Sequence, residues 1–214
     1  MSALPDALLF VTPDCAHCAA VLRGLETLVQ QRLVGSVTVV DAAAQPALAA
    51  QHGVRSAPWL ELGPFTLTGA HSPAELRQWA QWAQGETGTA HYIEHLLRQG
   101  EFKHARAFVA ADAARLAIVL GMLADTALGI DVRLGVSALL ERYAQHERLR
   151  ALLPQLAEMA RHEDHRVRAD ACHLLGLTGS AAARTPLKAR LDDANAEVRE
   201  IAREAWQRLD KPSA

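Results

Sequence analysis

Cys15-Ala16-His17-Cys18 puts two thiols three positions apart, with an imidazole between them. The run before it, Ala7-Leu8-Leu9-Phe10-Val11, is apolar and reads as a buried strand, and Thr12-Pro13-Asp14 reads as a turn. After it, Val21, Leu22, Leu25, Leu28 and Val29 recur at helical spacing, so a helix is expected to start near Cys15. At a strand-to-helix junction the unpaired helix N–H groups and the positive end of the helix dipole favour a thiolate. A Cys-x-x-Cys pair in a βαβ setting is the sequence sign of a dithiol redox centre. Chance spacing and a zinc staple are two other origins of such a pair. Zinc needs two further ligands, and the chain holds no second Cys-x-x-Cys.

Within the pair, Cys15 is nearer the helix start and is expected to be the exposed nucleophile. Cys18, one turn inside, is expected to resolve the mixed disulfide. His17 is placed to stabilise the Cys15 thiolate by charge or hydrogen bonding. Asp14 works against it: a carboxylate there repels a thiolate and competes as a cap for the same helix N–H groups. The balance is expected to favour the thiolate.

The loop Gly53-Val54-Arg55-Ser56-Ala57-Pro58 runs at once into a short strand, Trp59-Leu60-Glu61-Leu62. With strand, Cys-x-x-Cys, second strand and loop-Pro-strand in this order, roughly residues 5–85 resemble the thioredoxin superfamily. The resemblance implies that Pro58 is cis and lies against the dithiol. It also places His17 where the family's more oxidising members carry His. Three positions depart from the family. Asp14 replaces the Trp common before the first Cys, and Leu9 stands where thioredoxins carry a buried acid. Thr68-Gly69-Ala70-His71-Ser72 keeps only half of the Gly-Gly-x-Asp segment through which glutaredoxins bind glutathione.

The other elements fit a compact α/β domain. Val37–Asp41 reads as a second strand, Gln45–His52 as a short helix, and Trp59–Leu62 with Phe65–Thr68 as a hairpin across Gly63-Pro64. Ser72-Pro73-Ala74-Glu75 is a helix start, with Ser as cap, Pro in the first position and Glu three residues on. Residues 1–86 are therefore expected to form a thioredoxin-like, glutaredoxin-sized βαβαββα domain.

Gln84-Gly85-Glu86-Thr87-Gly88-Thr89 is a polar linker, and residues 88–214 read as all helix. Val132-Arg133, Val167-Arg168 and Val198-Arg199 each open a helix with matching apolar columns. These are Val132/Val167/Val198, Val136/Ala171/Ala202, Leu139/Leu174/Ala205 and Leu140/Leu175/Trp206. Their spacing keeps one helix face apolar, so each helix can stack on the next. An acidic turn before Val-Arg, as in Asp192-Asp193-Ala194-Asn195-Ala196-Glu197-Val198-Arg199, resembles HEAT-like repeats. Two repeats are clear, 150–176 and 180–209, and degenerate pairs are expected over 90–145 with Thr89 and Asp112 as caps. The resemblance implies an α-solenoid that binds other proteins. The alternative is that so short an array packs within the molecule. The recurring arginines are expected to form a ladder with acidic turn residues.

At 214 residues the chain is long enough for two modest domains. A formal charge of −2 gives no bulk drive toward nucleic acid or anionic lipid. No apolar run approaches the ~20 residues of a membrane span. Met1-Ser2-Ala3-Leu4-Pro5-Asp6 has no basic-then-apolar leader pattern, so a cytoplasmic location is expected. Three cysteines are too few for a disulfide scaffold, and Cys172 reads as a packed free thiol. His91 and His95 are half of a metal site without an evident third ligand; His162, His165 and His173 read as a cluster on a solvated turn. No cofactor and no metal are expected. The expected activity is thiol–disulfide oxidoreduction by Cys15 and Cys18, with a protein substrate or partner held by the HEAT-like domain. A non-catalytic adaptor and a redox-sensing scaffold are the alternatives.

Overall fold

The computed structural model describes residues 4–85 and 87–210. They fall into two compact units, one reaching to Tyr92 and the other starting at Ile93. The division lies inside helix α4 (Gly88–Arg98) rather than at the glycine-bearing linker before it.

In the first unit the order is β1 (Ala7–Val11), α1 (Cys18–Gln30), β2 (Val37–Asp41), α2 (Pro46–Gln51), β3 (Trp59–Leu62), β4 (Phe65–Thr68) and α3 (Pro73–Trp82). The strands form one sheet in the order β2-β1-β3-β4. β1 and β2 are parallel, which requires a crossover, and α1 supplies it. β3 is antiparallel to both β1 and β4. The β3–β4 turn uses Gly63 at φ 56°, a left-handed conformation that favours glycine.

Alternation along the strands sorts the core into two faces. Register aligns Leu9 with Leu60 and Leu67, and Ala7 with Leu62 and Phe65, all buried on one face. Phe10 and Trp59 face the other way and pack with Val40 and Ala49. Val21, Leu25 and Leu28 form the buried stripe of α1, and Leu76, Trp79 and Ala80 that of α3. The two helices pack together at Gly24, where an added Cβ would meet Leu76 Cδ1 at 2.6 Å. A side chain there would force the tip of Leu76 to shift. α3 starts as its sequence requires: Ser72 Oγ accepts the Glu75 N–H at 3.3 Å, and Glu75 Oε2 accepts the Ser72 N–H at 2.7 Å.

β4 is an edge strand, with backbone groups that the sheet does not pair. The Tyr92 hydroxyl closes part of that edge. It accepts the Thr66 N–H at 2.9 Å and donates to the Thr66 carbonyl at 2.8 Å. Its ring is fully buried against Phe65 and Trp79.

The second unit continues with α5 (Phe102–Ala110), α6 (Arg115–Met122), α7 (Ile130–Glu141), α8 (Glu147–Arg150) and α9 (Leu153–Met159). It ends with α10 (His165–Leu177), α11 (Arg184–Lys188) and α12 (Ala196–Asp210). The three Val-Arg pairs lie on α7, α10 and α12. Ten of the twelve residues in the four columns are at most 1% exposed, and Ala205 is at 2%. Trp206 departs: it is only half-buried, and the Arg184 guanidinium lies 4.9 Å from its ring. Thr89 falls within the first turn of α4 rather than capping it, whereas Asp112 Oδ1 accepts the Ala114 N–H just before α6.

Each Val-Arg arginine ties its helix to the turn behind it. Arg133 donates to the Leu123 and Asp125 carbonyls, Arg168 to those of His162 and Glu163, and Arg199 to those of Asp193 and Ala194. Two of them also reach forward. Arg133 pairs with Asp170 at 2.7 Å, and Arg168 makes a two-pronged pair with Asp193 at 2.8 and 2.9 Å. Arg168 holds the Asp193 carboxyl below the usual carboxylate range, helped by the Asn195 N–H and opposed by burial. Burial instead pushes Asp170 up despite Arg133. The expected histidine cluster is divided: His162 Nδ1 accepts the Asp164 N–H in the turn, while His173 pairs with Glu141 at 2.9 Å. His173 is therefore a helix-to-helix contact. Cys172 is fully buried, and burial pushes its thiol up to about 12.

Replacing Tyr92→Phe removes both edge bonds and is expected to cost about 1–3 kcal/mol in denaturant unfolding. An unchanged midpoint would show that water seals this edge equally well. Asp193→Ala leaves Arg168 without its partner and is expected to cost at least about 3 kcal/mol. Because the Asp193 pKa is lowered on folding, its contribution is present above the ordinary carboxylate pKa of about 4 and is lost as pH falls through the folded value. Acid should therefore destabilise the wild type more than the variant, as urea titrations at several pH values would read. After reduction, a maleimide is expected to leave Cys172 unlabelled until the chain is unfolded. Labelling of Cys172 in the native protein would contradict its burial.

Candidate functional site

Strand direction gathers the sequence-predicted residues at one end of the sheet. β1 ends at Val11, β2 at Asp41 and β4 at Thr68, and β3 begins there at Trp59. The Ala42 N–H donates to the Val11 carbonyl and the Gly69 N–H to the Pro58 carbonyl, each at 2.9 Å. Thr12–Cys18, Pro58 and Gly69–Ser72 thus leave the sheet from the same end.

Cys15 and Cys18 form a disulfide with their Cα atoms 5.5 Å apart. α1 begins at Cys18, three residues later than the apolar spacing predicts. Spacing reports a buried stripe, and the first residue of that stripe is Val21, which leaves the helix start open. Ala16 and His17 instead form a turn, with His17 in the capping position and no side-chain cap bond. The electrostatic consequence survives this shift. The Cys18 N–H, the first of the helix, donates to Cys15 Sγ at 3.1 Å. The Cys15 N–H is held by the Thr12 carbonyl at 3.2 Å.

The two cysteines differ in access: Cys18 is 6% exposed, whereas Cys15 is half-buried. His17 and Asp14 are both exposed beside them. Pro58 is buried and its bond to Ala57 is cis. Leu9 is fully buried in an apolar row.

His71 is a residue of this region that pattern reading did not single out. It is half-buried between Thr68, the last residue of β4, and the Ser72 cap of α3. Its ring hydrogen-bonds the backbone of Thr68. Nε2 is buried and has no hydrogen-bond partner among the described residues. Burial lowers the imidazole pKa below its ordinary value, and the nearby Glu75 carboxylate and the Thr68 bond offset part of that. The one available sequence signal was its position between an apolar strand and a capped helix. A second histidine, His52, pairs with Glu61 at 3.0 Å and packs on Phe10 and Trp59, on the α2 side of the sheet.

No group of three or more His, Cys, Asp or Glu residues able to hold a metal occurs among the described residues. No described helix is long and apolar enough to cross a membrane.

Residues 130–207 match a family model for HEAT repeats. The match begins at α7 and takes in all three Val-Arg helices. No curated protein matches the chain. The molecule therefore combines a β/α region, whose mixed four-strand sheet and Cys15–Cys18 disulfide are consistent with a thioredoxin-like domain, with an all-helical HEAT-repeat region.

Proposed function

We propose that the chain is a thiol–disulfide oxidoreductase of thioredoxin type, whose helical part holds a protein substrate or partner. One observation carries this reading: the Cys15–Cys18 pair is closed, and the first helical N–H points at the more accessible sulfur. The same N–H favours a thiolate at Cys15 once the pair is reduced. His17 lies exposed beside it and adds positive charge when protonated.

In the reducing direction, the Cys15 thiolate attacks one sulfur of a substrate disulfide. The substrate S–S bond breaks, the other substrate sulfur leaves as a thiolate, and Cys15 is joined to the first. Cys18 then attacks Cys15 Sγ, which releases the second substrate thiol and closes the Cys15–Cys18 disulfide. Two electrons pass from the pair to the substrate. Pro58, at the same end of the sheet, is the residue against which the substrate chain is proposed to lie. HEAT repeats generally mediate protein–protein contacts, which supports a partner-holding role for the helices.

An adaptor reading is favoured by one specific observation, the buried, apolar Leu9 at the position where the thioredoxins that this region resembles carry an acid. Turnover separates the two. Reduced protein is expected to speed insulin reduction by dithiothreitol, and Cys15→Ser to abolish the effect. Cys18→Ser is expected to accumulate mixed disulfides with substrate proteins on non-reducing gels, and Cys15→Ser is not. Trapping by Cys15→Ser alone would reverse the assignment of nucleophile and resolving thiol. No rate above background in the wild type would leave the adaptor reading standing.

A further inference from the structure

Resolution of a mixed disulfide requires Cys18 to lose a proton, and its immediate surroundings are poor in acceptors. Cys18 is buried, and Leu9, at the position where the thioredoxins that this region resembles carry a buried acid, is apolar. A buried thiol without an acceptor keeps its proton, because desolvation disfavours the thiolate.

The topology brings one unused acceptor to the same end of the sheet. β4 runs in the same direction as β1, since each is antiparallel to β3. α1 and α3 therefore start at the same end of the sheet, and they pack together at Gly24 and Leu76. Cys18 stands six residues before Gly24 on one of these elements, and His71 five residues before Leu76 on the other. The Gly69 N–H bond to the Pro58 carbonyl anchors the His71 segment to the substrate side of the site.

We infer that His71 Nε2 is the proton acceptor for Cys18 in the resolving step, an inference that rests on the dithiol chemistry proposed above. The Cys18 Sγ–H proton passes to Nε2 as Cys18 Sγ bonds to Cys15 Sγ. The bond from Cys15 Sγ to the substrate sulfur breaks, and the imidazolium returns its proton to the departing thiolate or to water. In the oxidised protein Cys18 has no S–H to give, and Nε2 is buried without a hydrogen-bond partner among the described residues. Reduction restores the donor. An unpaired buried acceptor is costly, so its pairing on reduction also stabilises the dithiol relative to the disulfide.

The ring is suited to this task by its surroundings. Burial disfavours its charged form, and its bond to the Thr68 backbone leaves Nε2 as the ring nitrogen without a partner. Glu75 on α3 is the carboxylate that acts on it. From the other elements, Cys18–Leu22 of α1 and Ala7–Val11 of β1 carry no ionisable group apart from the thiol. Glu61 of β3 is paired to His52 on the other face, and Asp14 and His17 of the preceding loop are exposed.

Rapid mixing of the reduced full-length chain with 5,5′-dithiobis(2-nitrobenzoate) separates the two thiols. Attack by Cys15 releases the first coloured thiolate, and attack by Cys18 on the resulting mixed disulfide releases the second. His71→Leu keeps an apolar side chain of moderate size and removes the acceptor. It is expected to leave the first phase unchanged and slow the second about 100-fold at neutral pH, the scale of lost general-base catalysis. The deficit should shrink as pH rises, because hydroxide increasingly takes the place of the missing acceptor. A second phase as fast as in the wild type, or both phases slowed alike, would overturn the role of His71 and leave the dithiol reading intact. A wild type without the first phase, indistinguishable from Cys15→Ser, would remove both. Should the variant fail to fold, ¹⁵N-imidazole spectra of the wild type decide: the Nε2 resonance is expected to shift on reduction, and an identical shift in both redox states refutes the pairing.

Discussion

The close contact of α1 with α3 is the constraint on which the candidate site depends. At Gly24 the absence of a side chain leaves room for the tip of Leu76, which a methyl group would displace, and the two helices share one packing surface against the apolar face of the sheet. Both helices start from strand ends on the same side. Fixing their separation at Gly24 therefore fixes the loops that precede them. One of these loops carries Cys15, and the other carries His71 after its bond to Pro58. The chemistry is supplied by loops and first turns, whereas its geometry is set deeper in the core.

Much of this was legible in the sequence because it rests on short-range rules. All four strands run over the expected residues, since each is a brief apolar or β-branched run closed by a turn signal. The Ser72–Glu75 cap is likewise a local pattern with a local cause. The Val-Arg columns were legible because repetition turns a long-range contact into a sequence period. The start of α1 was not, because apolar periodicity is silent about a turn whose residues are exposed. Tyr92 was not, because nothing near it in sequence shows that its hydroxyl ends at Thr66, twenty-six residues earlier. His71 escaped for the same reason: its meaning depends on two helices meeting at Gly24.

In the helical part, charge does the work that loops alone would leave undone. A short turn between stacked helices exposes carbonyls at the end of one helix that the next cannot pair. Arg133, Arg168 and Arg199 each donate to two of these carbonyls, and at the first two a lysine would lack the planar fork that reaches two carbonyls and a carboxylate together. Arg168 is the fullest case. It holds the turn behind it and the Asp193 carboxylate ahead, and Asp193 in turn accepts the Asn195 N–H before α12. One guanidinium thus links consecutive helical pairs. The Leu140/Leu175/Trp206 column loosens at the last repeat, where Trp206 is half-exposed under Arg184.

The missing acid and the buried histidine are two sides of one physical problem. A carboxylate beneath a closed disulfide is a charge held in an apolar row, and its desolvation is costly in every redox state. A neutral imidazole has no such standing charge, so on the inference drawn above Leu9 can complete the apolar row while the acceptor stands in the loop before α3. The loop is firm enough to carry it. Gly69 is tied to Pro58, Thr68 holds the ring, and the Ser72–Glu75 box fixes the next turn of chain. Glu75 has a second effect, because its carboxylate favours the imidazolium against the desolvation that opposes it. The residues that start α3 therefore set both where the imidazole hangs and how readily it takes up charge. On this reading, a capping motif that elsewhere only begins a helix is here part of the proton chemistry of the dithiol.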